Sequence, residues 1–117
     1  MSSFSHLRSH KYIDLVTFRK NGIGVHTPVW FAGDDDRLYV FSNPKSGKLK
    51  RIRNNPRVEI APCTMRGKVV GPQFPATVRI LPQQEWDQAR NAIHAKYWLT
   101  RIPFLWSKRN VYLEITV

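Results

Sequence analysis

The segment FSNPKSGKLKRIRNNPRV, residues 41–58, decides the fold class because its residue pattern changes twice. Asn43-Pro44 interrupts a strand pattern, and Ser46 is placed to cap a helix. In that helix Leu49 and Ile52 are three residues apart, with cations at most of the remaining positions. Pro56 ends the helix, and an extended pattern resumes in 57–64. We therefore expect a short basic helix, anchored by two apolar side chains, between two strands.

Strand patterns surround this segment on both sides. Residues 12–20 and 24–32 are rich in aromatic and β-branched types, and Asn21-Gly22 between them is typical of a hairpin. With 37–42 they predict a three-stranded meander, in which Leu38, Val40 and Ser42 share one face of the third strand. Further strands are predicted at 57–64, 75–82 and 111–117. Helical spacing at Trp86, Ala89, Ile93 and Tyr97 predicts a second helix, which has to end before Pro103.

Six strands and two inserted helices predict a mainly β protein, a small antiparallel β-barrel in one domain, residues 1–117. The chain has 117 residues, 42% of them hydrophobic, which suits one core. Residues 99–110 have no clear period and expose large apolar groups, so we expect a subunit interface or a substrate lid to cover them.

Positive charge is concentrated in one part of the chain. The net charge is +11, and residues 37–84 contain ten basic residues and one acidic residue, so they account for +9 of it. Six of these cations lie within positions 45–57. An anionic partner is therefore expected.

Several classes of protein are not favoured. The apolar runs are far shorter than the roughly 20 residues of a membrane span, and no apolar leader is evident, so we expect a soluble cytoplasmic protein without a membrane span. The one cysteine, Cys63, and four scattered histidines give no disulfide or zinc pattern. Cys63 is interpreted as a packed apolar residue, and no nucleophile elbow or Walker loop is present. His26 is interpreted as either a base or a wall residue.

The junction between the third strand and the basic helix has the chemistry of a phosphate site. A helix N-terminus presents free backbone N–H groups and a partial positive charge. Ser42 and Ser46 can donate hydroxyl hydrogen bonds, Gly47 allows close backbone approach, and Lys48 supplies a charge. The site lacks the fixed spacing of a Walker loop.

The same segment carries a resemblance to a known family. Residues 41–58, above all Arg51-Ile-Arg-Asn-Asn-Pro-Arg-Val58, resemble the signature of the flavin-binding split barrels that are similar to pyridoxamine 5'-phosphate oxidase. The chain more closely resembles the branch of oxidoreductases that depend on the deazaflavin coenzyme F420. The segments that carry this resemblance are 27–31, 47–57, 61–63, 66–67 and 112–115. The similarity extends over nearly the whole chain, and it implies a six-stranded split β-barrel.

The resemblance also implies a site. The flavin or deazaflavin ring lies in a groove between two subunits of a homodimer, against the strand that corresponds to residues 25–30 and the end of the next strand. The phosphate is held by the turn and helix start. The implied cofactor-binding residues are His26, Thr27, Pro28, Val29, Trp30, Val40, Phe41, Ser42, Ser46, Gly47, Lys48, Lys50, Arg51, Trp98 and Arg101.

The resemblance implies an oxidoreductase that transfers a hydride between coenzyme F420 or FMN and a small-molecule substrate. It does not identify the catalytic residues. The cations at Lys50, Arg51 and Arg53 suit the anionic tail of F420 better than FMN. His26 stands where many true oxidases have an arginine, so pyridoxamine phosphate oxidation is not expected. Trp98 and Arg101 would close the groove from the other subunit.

Two alternatives remain open. The first is a basic barrel in which Trp30, Tyr39 and Phe41 stack on the bases of single-stranded nucleic acid. Against it, these aromatic residues alternate as barrel residues do, and we do not expect a nucleic-acid partner. The second alternative is a protein that binds the cofactor without turnover.

Overall fold

The computed structural model describes residues 4–7, 9–97 and 110–117. Within them are seven strands and two α-helices. The strands are β1 (Tyr12–Phe18), β2 (Gly24–Trp30), β3 (Ala32–Gly33), β4 (Leu38–Ser42), β5 (Arg57–Cys63), β6 (Phe74–Ile80) and β7 (Val111–Thr116). The helices are α1 (Gly47–Asn54) and α2 (Trp86–Lys96), with short 3-10 helices at Ser5–Leu7 and Gln83–Glu85. None of the helices in these residues is long and apolar enough to cross a membrane.

The strands form one antiparallel sheet in the order β2-β1-β5-β6-β7-β4-β3. Its two outermost strands, β2 and β3, are consecutive in sequence and are separated by Phe31 alone. The two ends of the curled sheet are therefore joined covalently, and the sheet has the form of the predicted split barrel. The six predicted strands are confirmed, and β3 is an additional short strand.

The predicted three-stranded meander is wrong in its pairing. Residues 24–32 were expected to be one strand, but the chain turns at Phe31, so β2 pairs with β1 and β3 pairs with β4. The other neighbour of β4 is the C-terminal strand β7, with Val40 opposite Leu113. Barrel closure, rather than proximity in sequence, therefore determines which strand pairs with β4.

The barrel interior is apolar, and α1 packs against it. Val40, Leu113 and Ile115 are fully buried there. Leu49 and Ile52, the apolar pair predicted to anchor the basic helix, belong to the same core. This packing fixes the start of α1 next to the end of β4.

The outer face of β4 and β7 packs against α2. Tyr39, Tyr112 and Leu81 form a second core with Ala89 and Ile93 of the helix. The predicted helical spacing at Trp86, Ala89, Ile93 and Tyr97 is confirmed, with Tyr97 as the C-terminal cap residue. The part of the chain that follows α2, residues 98–109, lies outside the described residues.

Candidate functional site

The predicted phosphate site lies where β4 ends and α1 begins. Ser42 is the last residue of β4, and its hydroxyl oxygen is 3.0 Å from that of Ser46, the N-cap residue of α1. Ser46 occupies the predicted N-cap position. Its side chain, however, makes no capping hydrogen bond to the helix. Since the first N–H groups of a helix have no partner within the helix, this end of α1 can accept an anion.

A cavity of about 400 Å³ opens beside this junction. Its size is within the range of small-molecule and cofactor sites. It is lined by Tyr12, Pro28, Val29, Trp30, Phe41, Ser42, Asn43, Lys48 and Asn110. Six of these, from three separate elements, were predicted from the sequence: Pro28, Val29, Trp30, Phe41, Ser42 and Lys48. The cavity combines an aromatic wall with a hydroxyl and an ammonium group at one end.

Lys48 supplies the positive charge of the cavity. Its side chain is partly buried, and this burial lowers the pKa of its ammonium group, with a smaller contribution from the nearby charge of Arg51. A bound anion would offset both effects, because it would replace lost solvation and attract the charge. Lys48 is therefore placed to bind an anion.

The aromatic wall is held in place by its own contacts. The Trp30 ring stacks on Tyr97, with centroids 4.9 Å apart, and meets the edge of Phe41 at 6.0 Å. The Tyr12 ring lies 6.2 Å from Trp30. Tyr39, one of the three residues considered for base stacking, is buried against α2. One broad face of Trp30 is therefore already occupied by Tyr97.

The other predicted residues that the structure describes do not line the cavity. His26 and Thr27 precede Pro28 on β2, Gly47 is exposed at the start of α1, and Lys50 is exposed further along the helix. The side chain of Val40 is fully buried in the barrel interior. Trp98 and Arg101 lie outside the described residues.

Arg51 is turned toward the barrel. Its Nε donates a hydrogen bond of 2.6 Å to the hydroxyl of Thr17, a buried residue of β1. This contact ties α1 to β1. Lys50 and Arg53, in contrast, are exposed, and their charged groups lie on the solvent-facing surface of the helix.

Four residues near the site were missed by sequence reasoning. Tyr12, Asn43 and Asn110 line the cavity, and Asp14 is a buried carboxylate that accepts a 2.7 Å hydrogen bond from Nδ1 of His26. A signal for Tyr12 was available, since the predicted hairpin brings the start of β1 next to the end of β2, where the structure pairs Tyr12 with Trp30. Asn110 carries no such signal, because it reaches the site only through the pairing of β7 with β4.

Cys63 is packed, as predicted. It is buried, and burial raises the pKa of its thiol to about 11, assisted by the negative charge of Asp14. A thiol of this kind remains protonated at neutral pH, so it is a poor nucleophile.

A larger cavity, of about 540 Å³, lies between α2 and the β3–β4 edge. Its charged groups are already engaged. The Asp34 carboxylate accepts the backbone N–H groups of Asp36 and Arg37, and the Lys96 ammonium donates to the His10 carbonyl at 2.8 Å. We therefore assign the candidate site to the smaller cavity at the start of α1.

Comparisons with known structures agree with this fold. The chain resembles a putative 5-nitroimidazole antibiotic resistance protein from Bacteroides thetaiotaomicron, with a TM-score of 0.74, 19% identity and coverage of 98% of this chain and 77% of the other. It resembles HutZ, the heme storage protein from Vibrio cholerae, with a TM-score of 0.74, 12% identity and coverage of 99% and 90%. An FAD-binding protein from Mesorhizobium loti matches with a TM-score of 0.63, 20% identity and coverage of 95% and 82%.

At the sequence level, no curated protein shows significant similarity to the chain. The family model described as pyridoxamine 5'-phosphate oxidase matches residues 4–112, which include every described element up to the start of β7. The protein therefore belongs to the pyridoxamine 5'-phosphate oxidase family, as the residues of the strand–turn–helix segment had indicated.

Proposed function

We propose that the protein binds a flavin-type cofactor, FMN or coenzyme F420, in the cavity at the start of α1 and transfers a hydride between it and a small organic substrate. One observation carries the proposal: aromatic side chains, a serine hydroxyl and the Lys48 ammonium line a single cavity of about 400 Å³. A planar ring with a phosphate tail matches this division into an apolar wall and a cationic end.

The phosphate would lie at the junction of β4 and α1. Ser42 and Ser46 have neighbouring hydroxyls there, and the uncapped N–H groups of α1 complete a set of donors. Lys48 adds a full positive charge. These groups fit a phosphate, because charge-assisted hydrogen bonds to phosphate oxygens are among the strongest in proteins.

The exposed cations of α1 favour F420 over FMN. Lys50 and Arg53 extend positive charge beyond the start of the helix, whereas Arg51 is bound to Thr17. The tail of F420 continues beyond its phosphate as anionic glutamates, while FMN ends at the phosphate. A tail that follows the surface of α1 would meet these two cations.

The bound cofactor would supply the hydride, and the protein would position it. Trp30 and Tyr12 would support the ring, with His26, Thr27 and Pro28 along its edge on β2. We further propose that a second copy of the chain covers the open side of the cavity in a homodimer, with Trp98 and Arg101 closing the groove.

Titration of the purified protein with FMN and with F420, followed by fluorescence, tests the proposal. We expect at least one of them to bind with a dissociation constant in the micromolar range, and binding no tighter than about millimolar would contradict it. A gel shift with single-stranded DNA or RNA that weakens steeply with salt, without any effect of either cofactor, would favour the nucleic-acid alternative instead.

Haem binding is a second candidate, and one observation favours it. The Nδ1 of the exposed His26 is engaged by Asp14, which leaves Nε2 free, and a histidine held in this way by a carboxylate is well suited to bind iron. Titration with haemin distinguishes the two candidates. A sharp Soret band that is lost in His26→Gln, without flavin binding, would favour haem.

A further inference from the structure

The larger cavity, of about 540 Å³, is separate from the proposed cofactor site. No described residue lines both cavities. The volume of the larger one is within the range of small-molecule sites. Its lining therefore has to be read for a ligand of its own.

One wall of this cavity is a face of α2 that carries small side chains. Gln88, Ala92, Ala95 and Lys96 line it, and their spacing places them on the same side of the helix. The two alanines leave space between the helix and the sheet that longer side chains would fill. The β3–β4 edge opposite adds further apolar groups, among them Leu38. The lining is therefore mainly apolar, with a few polar groups.

Lys96 supplies a positive charge to the lining. Its ammonium lies 3.6 Å from the centroid of the Phe31 ring and donates a hydrogen bond of 2.8 Å to the carbonyl oxygen of His10. An ammonium group has three N–H donors, so donors remain for a ligand. Partial burial lowers the pKa of this group to about 8, so it is mainly protonated at neutral pH. A bound carboxylate would offset the lost solvation.

Asp34 supplies a negative charge to the same lining. Its Oδ1 accepts the backbone N–H groups of Asp36 at 2.8 Å and Arg37 at 3.0 Å, whereas Oδ2 has no donor among the described residues. These backbone hydrogen bonds lower the pKa of the carboxyl group, so it is ionised at neutral pH. Oδ2 is therefore an acceptor that a ligand ammonium group can use.

The two charged groups lie apart along β3. The Lys96 ammonium packs on the ring of Phe31, which precedes β3, and Asp34 follows β3 directly. Phe31 and Asp34 are three residues apart, which corresponds to about 10 Å of extended strand. The hydrogen bonds of Lys96 and Asp34 go to backbone groups and not to each other. A ligand that meets both charges therefore needs an apolar spacer between its own charged groups.

We propose that this cavity binds a small ω-aminocarboxylate, with its carboxylate on Lys96, its ammonium on Oδ2 of Asp34 and its methylene chain against Ala92 and Ala95. A ligand with only one charge would leave either Lys96 or Asp34 without a partner, so both charges are needed for tight binding. The inference does not depend on the flavin-type cofactor, because the two cavities are lined by different residues.

Isothermal titration calorimetry of the full chain tests the ligand class. The probes are γ-aminobutyrate, δ-aminovalerate and ε-aminocaproate, each beside the carboxylic acid and the amine of the same chain length. We expect at least one aminocarboxylate to bind about tenfold more tightly, or better, than both of its single-charge analogues. Norleucine is an isomer of ε-aminocaproate with adjacent charges, and it should bind more weakly. The proposal is overturned if no aminocarboxylate exceeds its analogues or if norleucine is the tightest ligand.

Two charge-removing variants test the ends of the site. Asp34→Asn keeps Oδ1 for the turn, and Lys96→Gln keeps a donor for the His10 carbonyl, so both variants are expected to fold. Asp34→Asn should abolish the advantage of the aminocarboxylate over the carboxylic acid, and Lys96→Gln its advantage over the amine. Asp36→Asn is the matched control, because Asp36 is in the same turn but does not line the cavity. Retained advantages in both variants would contradict the assigned contacts.

A cavity-filling variant and an NMR experiment test the location. Ala95→Leu adds volume at an exposed position without changing charge, so it should weaken binding about tenfold or more while thermal unfolding stays near that of wild type. In the methyl spectrum, the signals of Ala92 and Ala95 should shift when the ligand is added, whereas that of Ala61, buried in β5, should not. Full affinity in Ala95→Leu, or shifts at Ala61 alone, would place the ligand elsewhere and overturn the proposal.

Discussion

The indole of Trp30 and the phenol ring of Tyr97 stack nearly parallel, with their planes 8° apart and their centroids 4.9 Å apart. Trp30 ends β2 and lines the cavity, and Tyr97 caps the end of α2. The Tyr97 hydroxyl also lies 2.7 Å from the carbonyl oxygen of Phe31 and 2.6 Å from that of Lys11. The cavity wall is therefore held in place by the end of a helix whose described residues do not themselves line the cavity.

Replacing Tyr97 tests this support. Tyr97→Phe keeps the ring but removes the hydroxyl, and we expect it to destabilise the protein by about 1–2 kcal/mol. Tyr97→Leu also loses the stacked ring, at a further cost of about 0.5–1.5 kcal/mol. Urea unfolding measures both values, and near-UV circular dichroism reports the environment of Trp30. Two variants of equal stability would contradict a role for the stack.

Lys48 is expected to contribute more to cofactor affinity than to folding. Its ammonium is partly buried at the cavity, so Lys48→Ala removes a charged hydrogen bond to the phosphate, at a cost of about 1.5–3 kcal/mol. The dissociation constant for FMN or F420 then rises by roughly 10- to 150-fold. Arg57→Ala, an exposed cation at the start of β5, is the control and should bind as wild type does. A Lys48→Ala variant with unchanged affinity would argue against a phosphate at this position.

Lys50 distinguishes the two cofactors. It is exposed on α1, about one turn after Ser46, and it does not line the cavity, so we expect it to contact the anionic tail of F420 rather than the phosphate. We expect Lys50→Ala to weaken F420 by about 0.2–1 kcal/mol, as for other exposed charge pairs, and to leave FMN unchanged. Parallel fluorescence titrations at low and high salt measure the difference. An equal loss for both cofactors would contradict the tail position.

The strands were predictable because apolar alternation and breaking residues are local properties. The helix anchors Leu49 and Ile52 were recognised for the same reason, and the structure buries both. The candidate phosphate site at the start of α1 was predicted from residue types that lie next to each other in sequence. The lining residues Ser42 and Lys48 thus needed no tertiary information.

Features that depend on barrel closure were not predictable from the residue pattern. The turn at Phe31 lies within an uninterrupted apolar run, and the pairing of β4 with β7 joins segments about seventy positions apart. Asp14 occupies a position in β1 that alternation assigns to the outside, and only the assembled structure buries it. The pair that Asp14 forms with His26 could therefore be identified only from the structure.

Cys63 is expected to react slowly in the folded protein. Its thiol has a pKa of about 11, so at pH 8 the thiolate fraction is roughly 100-fold lower than for an ordinary cysteine. Iodoacetamide labelling followed by mass spectrometry should show this difference between native and urea-unfolded protein. Because folding raises the pKa, the thiol's contribution to stability is complete below about pH 8.5 and decreases as the pH rises toward 11. Fast labelling of the native protein would contradict the burial of the thiol.

Gly33 is expected to be required for barrel closure. It lies in β3 with φ +143°, and a Cβ built there would be 2.2 Å from the Arg37 carbonyl oxygen and 2.9 Å from the Leu38 Cα. Both are backbone atoms, one at the end of the β3–β4 connection and the other at the start of β4, so they cannot move aside as the end of a side chain can. Gly22 provides a matched control, because it also has a positive φ, +86°, but has nothing within 4 Å of the added Cβ.

We expect Gly22→Ala to cost about 1–2 kcal/mol for the backbone conformation alone. Gly33→Ala should cost at least about 3 kcal/mol, since overpacking against fixed atoms is added to the backbone strain. Thermal and urea unfolding of the two variants measure the difference, and equal losses would show that β3 can shift without opening the barrel.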